Sequence, residues 1–448
     1  MPVSPQEMGR RLRAARESCG MTQEDVARRL GVSRPTVAQM ELGNRAATSI
    51  ELDKLAYLFG RDIREFVADS FEEEDALAVL FRAEPEIANH EEVADSLRAC
   101  IALGREVTNL EGLLGIDRDL AGAVTYEVVT PRSRWDAIQQ GERAAEQERR
   151  RLGLGWAPAP PLPEPLETQG VRTGIVDLPD EISGITISNQ SVGLFIVANR
   201  QHAPARRRFS FAHEYAHVLF DRRLKGIVTR SSDRDELVEV RANAFAAAFL
   251  MPPEGIRQFL TALGKGQPSR AIAQVFDEAG AVQAESRAAP GSQDIQLYDV
   301  VHLAHYFGVS RLAALFRLRN LKLLTQAEWD ELKSADDAGC GLELARLLNM
   351  PDAEEGDDKD GFRHRVLGLA LEAYRRELIT HSKLAEVGAL LSLRVEELAQ
   401  LLARSGLDAD PKLATEGRSK GQPSPIGQYR RYRPPPKSNK GHFTAWRH

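Results

Sequence analysis

The residues with the most chemistry in this chain sit close together, in the run Arg206-Arg207-Arg208-Phe209-Ser210-Phe211-Ala212-His213-Glu214-Tyr215-Ala216-His217. A histidine pair spaced i, i+4 on a helix projects two imidazoles from one face toward a single tetrahedral ion, and Glu214 stands beside them as a base. With ten histidines in 448 residues, chance would produce this pattern on the order of 0.02 times per chain. Coincidence is therefore a weak rival. Flanking Phe211, Ala212, Ala216, Val218, Leu219 and Phe220 give the helix a buried character, and buried ionisable groups need partners. A zinc ion with two such ligands needs a third from the protein and an open position for water, whose pKa it lowers toward about 7 so that Glu214 can take the proton.

The third ligand must come from another element, because the next histidine after His217 is His302. Asp221, Asp233, Asp235, Glu236 and Glu239 compete. Glu239 shares a helical stripe with Ala242, Ala246 and Phe249, whereas Asp233 and Asp235 fall at the expected entry of that helix, where acids ordinarily serve as caps. Glu239 is the expected ligand. Ahead of the motif helix, the β-branched runs Val171 to Asp177, Ile182 to Ser188 and Gly193 to Ala198 predict a small, mostly antiparallel sheet. The run 193–198 is expected to pair with an extended substrate as an added strand. Tyr215 points away from the histidine face by helical geometry.

Three stretches around these residues carry a family resemblance: Arg208-Phe209 before Ala212-His213-Glu214; Glu239-x-x-Ala242-Asn243-x-Phe245-Ala246 running into Phe249-Leu250-Met251-Pro252; and Val309-Ser310 followed by Arg317-Leu318. Over roughly residues 143–330 the chain resembles the ImmA/IrrE family of zinc-dependent peptidases, with Tyr215-Ala216 standing where many relatives have Leu-Gly. The resemblance implies a gluzincin-like metallo-endopeptidase with His213, His217 and Glu239 as zinc ligands and Glu214 as catalytic base. It also implies a protein substrate, usually a transcriptional regulator.

A second signal lies near the N-terminus. Thr22 can cap a helix to Leu30, Gly31 supplies a turn, and Ser33 caps another helix through Glu41, which is helix-turn-helix spacing. Val26, Ala27, Leu30, Val32, Val37 and Met40 would pack the pair against Leu12, leaving Arg34, Thr36 and Gln39 outward, able to reach major-groove edges. Through Thr22-Gln23, Ala27, Gly31-Val32-Ser33, Val37, Glu41 and Gly43 the segment resembles the Xre-type repressor family. That resemblance implies Gln23 as a phosphate or capping contact, Arg34, Thr36 and Gln39 as base readers, Asn44 and Arg45 as phosphate contacts, and a duplex read by a homodimer. Pro35 departs from many relatives but is sterically allowed in a first helical turn.

Length and composition frame these sites. At 448 residues the chain should hold more than one core, and a formal net charge of −6 leaves any nucleic-acid contact to a local patch. The N-terminus lacks an apolar signal segment, and the three cysteines, Cys19, Cys100 and Cys340, show no paired spacing. A cytoplasmic protein with buried thiols is the expectation. The fold expected is a mainly α multidomain chain: an all-α helix-turn-helix domain over 6–69, a helical connector over 70–155, an α+β zincin-like domain over 156–330, a C-terminal helical region over 331–410 and a basic, disordered tail over 411–448. The prolines of 156–166 read as an extended linker. His302 and His305 read as structural. The function expected is a DNA-binding regulatory zinc endopeptidase; the alternative is a non-enzymatic regulator or antitoxin-like protein whose peptidase fold senses a signal or binds a partner.

Overall fold

The computed structural model describes residues 3–72, 75–83, 85, 87, 90–116, 125–126, 129–189, 192–230, 232–265, 271–277, 280–286, 291–350 and 361–407. The acidic spacer at 352–360 and the basic tail from 411 lie outside them. The chain divides into two compact units, Met1–Arg394 and Val395–His448, the second contributing one helix, Val395–Arg404.

The N-terminal part of the first unit is five short helices, α1 (Pro5–Ser18), α2 (Gln23–Leu30), α3 (Arg34–Glu41), α4 (Ser49–Leu58) and α5 (Ile63–Val67). Their starts are set locally: Thr22 with Asp25, Thr48 with Glu51 and Asp62 with Glu65 form reciprocal capping boxes on α2, α4 and α5. Ser33 does precede α3, but it makes no capping bond; its hydroxyl pairs with Thr36 Oγ1 at 2.9 Å. Gly31, at φ 72°, makes the left-handed turn between α2 and α3. α1 crosses the end of α3 so closely that a Cβ on Gly9 would lie 2.4 Å from the Glu41 carbonyl oxygen. Arg16 Nε meets Glu41 Oε1 across that crossing at 2.6 Å.

The sheet runs β1 (Val171–Val176), β3 (Gly193–Asn199), β2 (Ile182–Asn189), β4 (Gly226–Arg230). It is mixed, since β1 and β3 are parallel while β2 is antiparallel to β3 and β4. Every residue of β3 is buried and it is flanked on both sides, so it offers no edge to a substrate. The expectation of strand addition there is wrong, because β1 pairs parallel with β3 on one side and β2 antiparallel on the other, so its backbone groups are already taken. β5 (Ala271–Asp277) and β6 (Gly280–Ser286) also pair antiparallel, apart from the three strand runs that the sequence predicts; the alanines among them weaken the strand pattern.

Alternation along the strands separates two covering layers. Leu194, Ile196 and Ala198 of β3 face the core shared with the motif helix α10 (Pro204–Phe220). On the other face, Phe195 packs edge-on against Phe362 and over Gly104. That face is covered by α6 (Ala76–Ala83), α7 (Glu91–Leu113) and α17 (Gly361–Arg375), so residues from the expected connector and the C-terminal region form one layer of the sheet domain. α7 also carries two buried arginines: Arg98 Nε donates to the Leu58 carbonyl of α4 at 2.9 Å, and Arg105 pairs at 2.5 Å with Asp75, the residue before α6, which in turn accepts from Asn189 of β2 at 2.5 Å.

Beneath the sheet, α8 (Arg134–Arg151) packs along α11 (Leu237–Leu250), close enough that a Cβ on Gly141 would lie 2.4 Å from the Arg241 carbonyl oxygen. α9 (Pro163–Thr168) follows a proline-rich stretch that is docked, not free. Prolines cannot donate, and the carbonyls of Ala157 and Ala159 are taken by the buried guanidiniums of Arg149 and Arg208. The chain continues through α12 (Pro253–Ala262), α13 (Leu297–Phe307), α14 (Arg311–Asn320), α15 (Gln326–Asp337), α16 (Cys340–Leu347) and α18 (His381–Leu390). Buried Arg317 of α14 donates to the Met251 carbonyl at 3.1 Å and to Glu142 at 2.6 Å. Of the cysteines only Cys19 is fully buried, and Cys340, expected inside, is exposed at the start of α16, a short helix that buries only Gly341 and Ala345 and leaves Leu342 and Leu347 exposed as well.

Candidate metal centre

α10 and α11 bring the metal-binding types together. His213 Nε2 lies 3.0 Å from Glu239 Oε2, His217 Nε2 lies 3.3 Å from Glu239 Oε1, and the two Nε2 atoms are 3.2 Å apart. One donor atom from each of the three residues falls within 4.8 Å of the others, and all three residues are buried. Two imidazole nitrogens and a carboxylate oxygen form the donor set of a catalytic zinc site, so the residues present fit such an ion.

Each histidine is held from behind. His213 Nδ1 is 3.0 Å from Asn243 Oδ1, and His217 Nδ1 is 2.9 Å from Asp221 Oδ2. An acceptor at Nδ1 keeps the proton there and leaves the Nε2 lone pair for an ion. Asp221 is fixed in turn by buried Arg241, 2.7 Å from its other oxygen, and the Arg241 guanidinium lies over the Phe220 ring at 4.6 Å. Asp221 thus supports a ligand from its far side. Glu236 precedes the first turn of α11, Asp235 pairs with Arg134 at 3.0 Å, and Asp233 accepts from Ser232 at 2.6 Å, so none of these joins the cluster. His302 and His305 belong to no such group among the described residues.

The groups of the cluster polarise one another strongly. Burial works against charge on His217, but its hydrogen bonds to Asp221 and Glu239 prevail and raise its pKa to about 10. Burial likewise opposes charge on Glu239, yet the two histidines hold its carboxyl well below the usual carboxylate range.

Glu214 projects to the sheet side. Its Oε2 accepts from Thr186 Oγ1 of β2 at 2.6 Å, and its Oε1 is buried with no hydrogen-bond partner. Tyr215 points the opposite way, as helical geometry predicts. Its hydroxyl donates to Glu148 Oε1 at 2.5 Å, and Tyr126 and Arg151 complete the ring of donors around that buried carboxylate. The network pins α8 to the back of α10, away from the histidines.

In the N-terminal helices, Arg34 and Gln39 are exposed on α3 and Thr36 is half-buried. Gln39 Oε1 accepts from Asn44 Nδ2 at 3.0 Å, Arg45 pairs with Glu51 at 2.8 Å, and Gln23 donates to Glu41 at 2.9 Å. Gln23 therefore ties the start of α2 to the end of α3, while Thr22 and Asp25 supply the cap.

The supporting groups at the centre escaped the sequence reading. Asn243 was visible only as part of a motif, and Asp221 only as a rival ligand. Thr186 and Gly184 lie on a separate strand about 30 residues upstream, with no spacing signal to tie them to Glu214.

Comparison with known families agrees with both halves. Residues 166–278 match the IrrE N-terminal-like domain of the M78 peptidases, which takes in all three cluster residues and Glu214. Residues 12–66 match a helix-turn-helix family. No curated protein matches the chain. No helix among the described residues is long and apolar enough to cross a membrane.

Proposed function

We propose that this chain, which joins a helix-turn-helix domain to an M78 peptidase domain, is a DNA-binding, zinc-dependent regulatory endopeptidase whose substrate is a transcriptional regulator or similar cytoplasmic protein. The observation that carries the enzymatic half is the convergence of His213, His217 and Glu239 within 4.8 Å beside a buried carboxylate, Glu214, with one oxygen unpartnered. A scaffold would gain nothing from an orphaned buried oxygen, which costs stability unless something occupies it.

His213, His217 and Glu239 would hold the ion, with Asn243 and Asp221 fixing the imidazoles at Nδ1. When bound, zinc supplies a Lewis acid that polarises a peptide carbonyl and acidifies water. Glu214 Oε1 is the atom that takes a proton from the attacking water and returns it to the leaving amine. The substrate backbone is aligned by β4, the outermost strand on this side among the described residues, whose Ile227 stands opposite Thr186. Arg34, Thr36 and Gln39 read bases and Gln23, Asn44 and Arg45 approach phosphates, in a homodimer on duplex DNA.

A second reading draws on burial: Glu214 and His217 have no exposed surface, which suits a regulator whose closed peptidase fold senses a signal or binds a partner without cleaving it. One experiment separates the two. Proteins cleaved in cells carrying the wild type and spared with Glu214→Gln identify an endopeptidase, whereas identical protein profiles under every condition that alters its DNA occupancy support the sensor.

A further inference from the structure

The base of a hydrolytic site works only if its carboxylate is aimed, and a glutamate has three rotatable bonds with which to miss. Glu214 lies on α10 directly below β2, an interior strand bonded to β3 on one side and β4 on the other. Two residues of that strand touch it. Thr186 Oγ1 lies 2.6 Å from Glu214 Oε2 and 3.2 Å from the Glu214 carbonyl oxygen. A hydroxyl has one proton to give, and the shorter contact to the carboxylate takes it. At Gly184 a Cβ would fall 2.5 Å from Glu214 Oε1 and 2.8 Å from its Cγ, so the absence of a side chain there is the space the carboxylate occupies.

We propose that Thr186 and Gly184 form a seat on β2 that fixes the direction of Glu214, making Thr186 a positioning residue for the general base. The inference rests on the peptidase reading above. Thr186 binds one carboxylate oxygen and leaves Oε1 without a partner, so the seat selects which oxygen remains free for proton transfer. A β-branched residue in a strand has a restricted χ1, so the hydroxyl is already aimed before Glu214 meets it. Gly184 is a floor beneath the same carboxylate: any larger residue would push Oε1 from its place.

The seat is tested on the full chain by titrating zinc alone and then, on the zinc-loaded protein, a peptide hydroxamate, a probe whose hydroxyl proton must pass to the base. Thr186→Val keeps the branched shape and loses the hydroxyl; Thr186→Ser keeps the hydroxyl and loses the methyl. The expected result is that Thr186→Val binds zinc within about threefold of wild type but the hydroxamate at least about tenfold more weakly, approaching Glu214→Gln, while Thr186→Ser stays within about threefold on both. Gly184→Ala should weaken hydroxamate binding in the same direction without loss of zinc. Hydroxamate affinity unchanged in Thr186→Val, equal losses in the Val and Ser variants, or loss of zinc in Thr186→Val would each overturn the seat. A wild type that binds no zinc, or a Glu214→Gln variant indistinguishable from it toward the hydroxamate, would instead bring down the peptidase reading on which the seat depends.

Discussion

Binding of zinc at this centre should expel a proton, and the structure indicates how strongly. In the metal-free protein His217 Nδ1 faces Asp221 and Nε2 lies against Glu239 and His213, with its pKa raised to about 10. At pH 7 the ring is therefore an imidazolium, and a metal ion needs the Nε2 lone pair that this proton occupies. The gap from pH 7 to a pKa of about 10 is three units, which at 1.36 kcal/mol each is about 4 kcal/mol, or roughly a thousandfold in apparent affinity. The sign is that zinc binds more weakly as pH falls and tightens about tenfold per unit as pH rises toward the His217 pKa. Competition against a chromophoric chelator from about pH 6.5 to 9 reads the slope, and calorimetry in buffers of different ionisation enthalpy reads about one proton released per ion. Asp221→Asn keeps an acceptor at Nδ1 but removes its charge, so the His217 pKa should fall and the slope flatten. Equal affinity at both ends of the range, once the chelator's own protonation is removed, would refute the reasoning; so would a full slope in Asp221→Asn. The metal-free fold should show the linked effect: with the pKa raised from 6.5 to about 10, stability from this group is fully present below 6.5 and is lost as pH rises through about 10.

Other expectations concern single residues. Elemental analysis should find about one zinc per chain, absent in His213→Ala and His217→Ala and much reduced in Glu239→Ala. Glu236→Ala and Asp233→Ala should retain it, and the ligand assignment fails if either of these loses metal while Glu239→Ala does not. Tyr215→Phe removes a donor from buried Glu148 and should lower unfolding free energy by about 1–3 kcal/mol in denaturant melts without changing zinc content; a metal-depleted variant would place Tyr215 at the centre after all. On duplex DNA, Arg34→Ala and Gln39→Ala should relax sequence preference at about 1–3 kcal/mol per lost base contact, whereas Arg45→Ala should weaken all sequences alike and shallow the salt dependence. Binding that stays equally strong across a random duplex library would leave the N-terminal helices with a different partner.

Signals carried by spacing along one element were legible without coordinates. The i, i+4 histidines, the stripe that singles out Glu239, the Thr22 cap, the Gly31 turn and the outward set on α3 depend on helical period and capping chemistry, which act over a few residues. The structure places each of them on the element their spacing implies. What the sequence left open depends on contacts between distant segments. β4 shows only five residues of weak pattern and exists because β2 supplies its partner, and the parallel pairing of β1 with β3, which no local pattern announces, makes β3 an interior strand. The connector and residues 361–375 reveal nothing of their common role until Phe195 and Gly104 show that both cover one face of the sheet. Thr186, about 30 residues before the base it touches, and Asp221, a rival ligand turned supporter of His217, have ordinary side chains whose meaning is a matter of direction. Residue type tells which chemistry a side chain can perform; only the packing of α10, α11 and β2 decides which atom of each faces the centre and which faces its support.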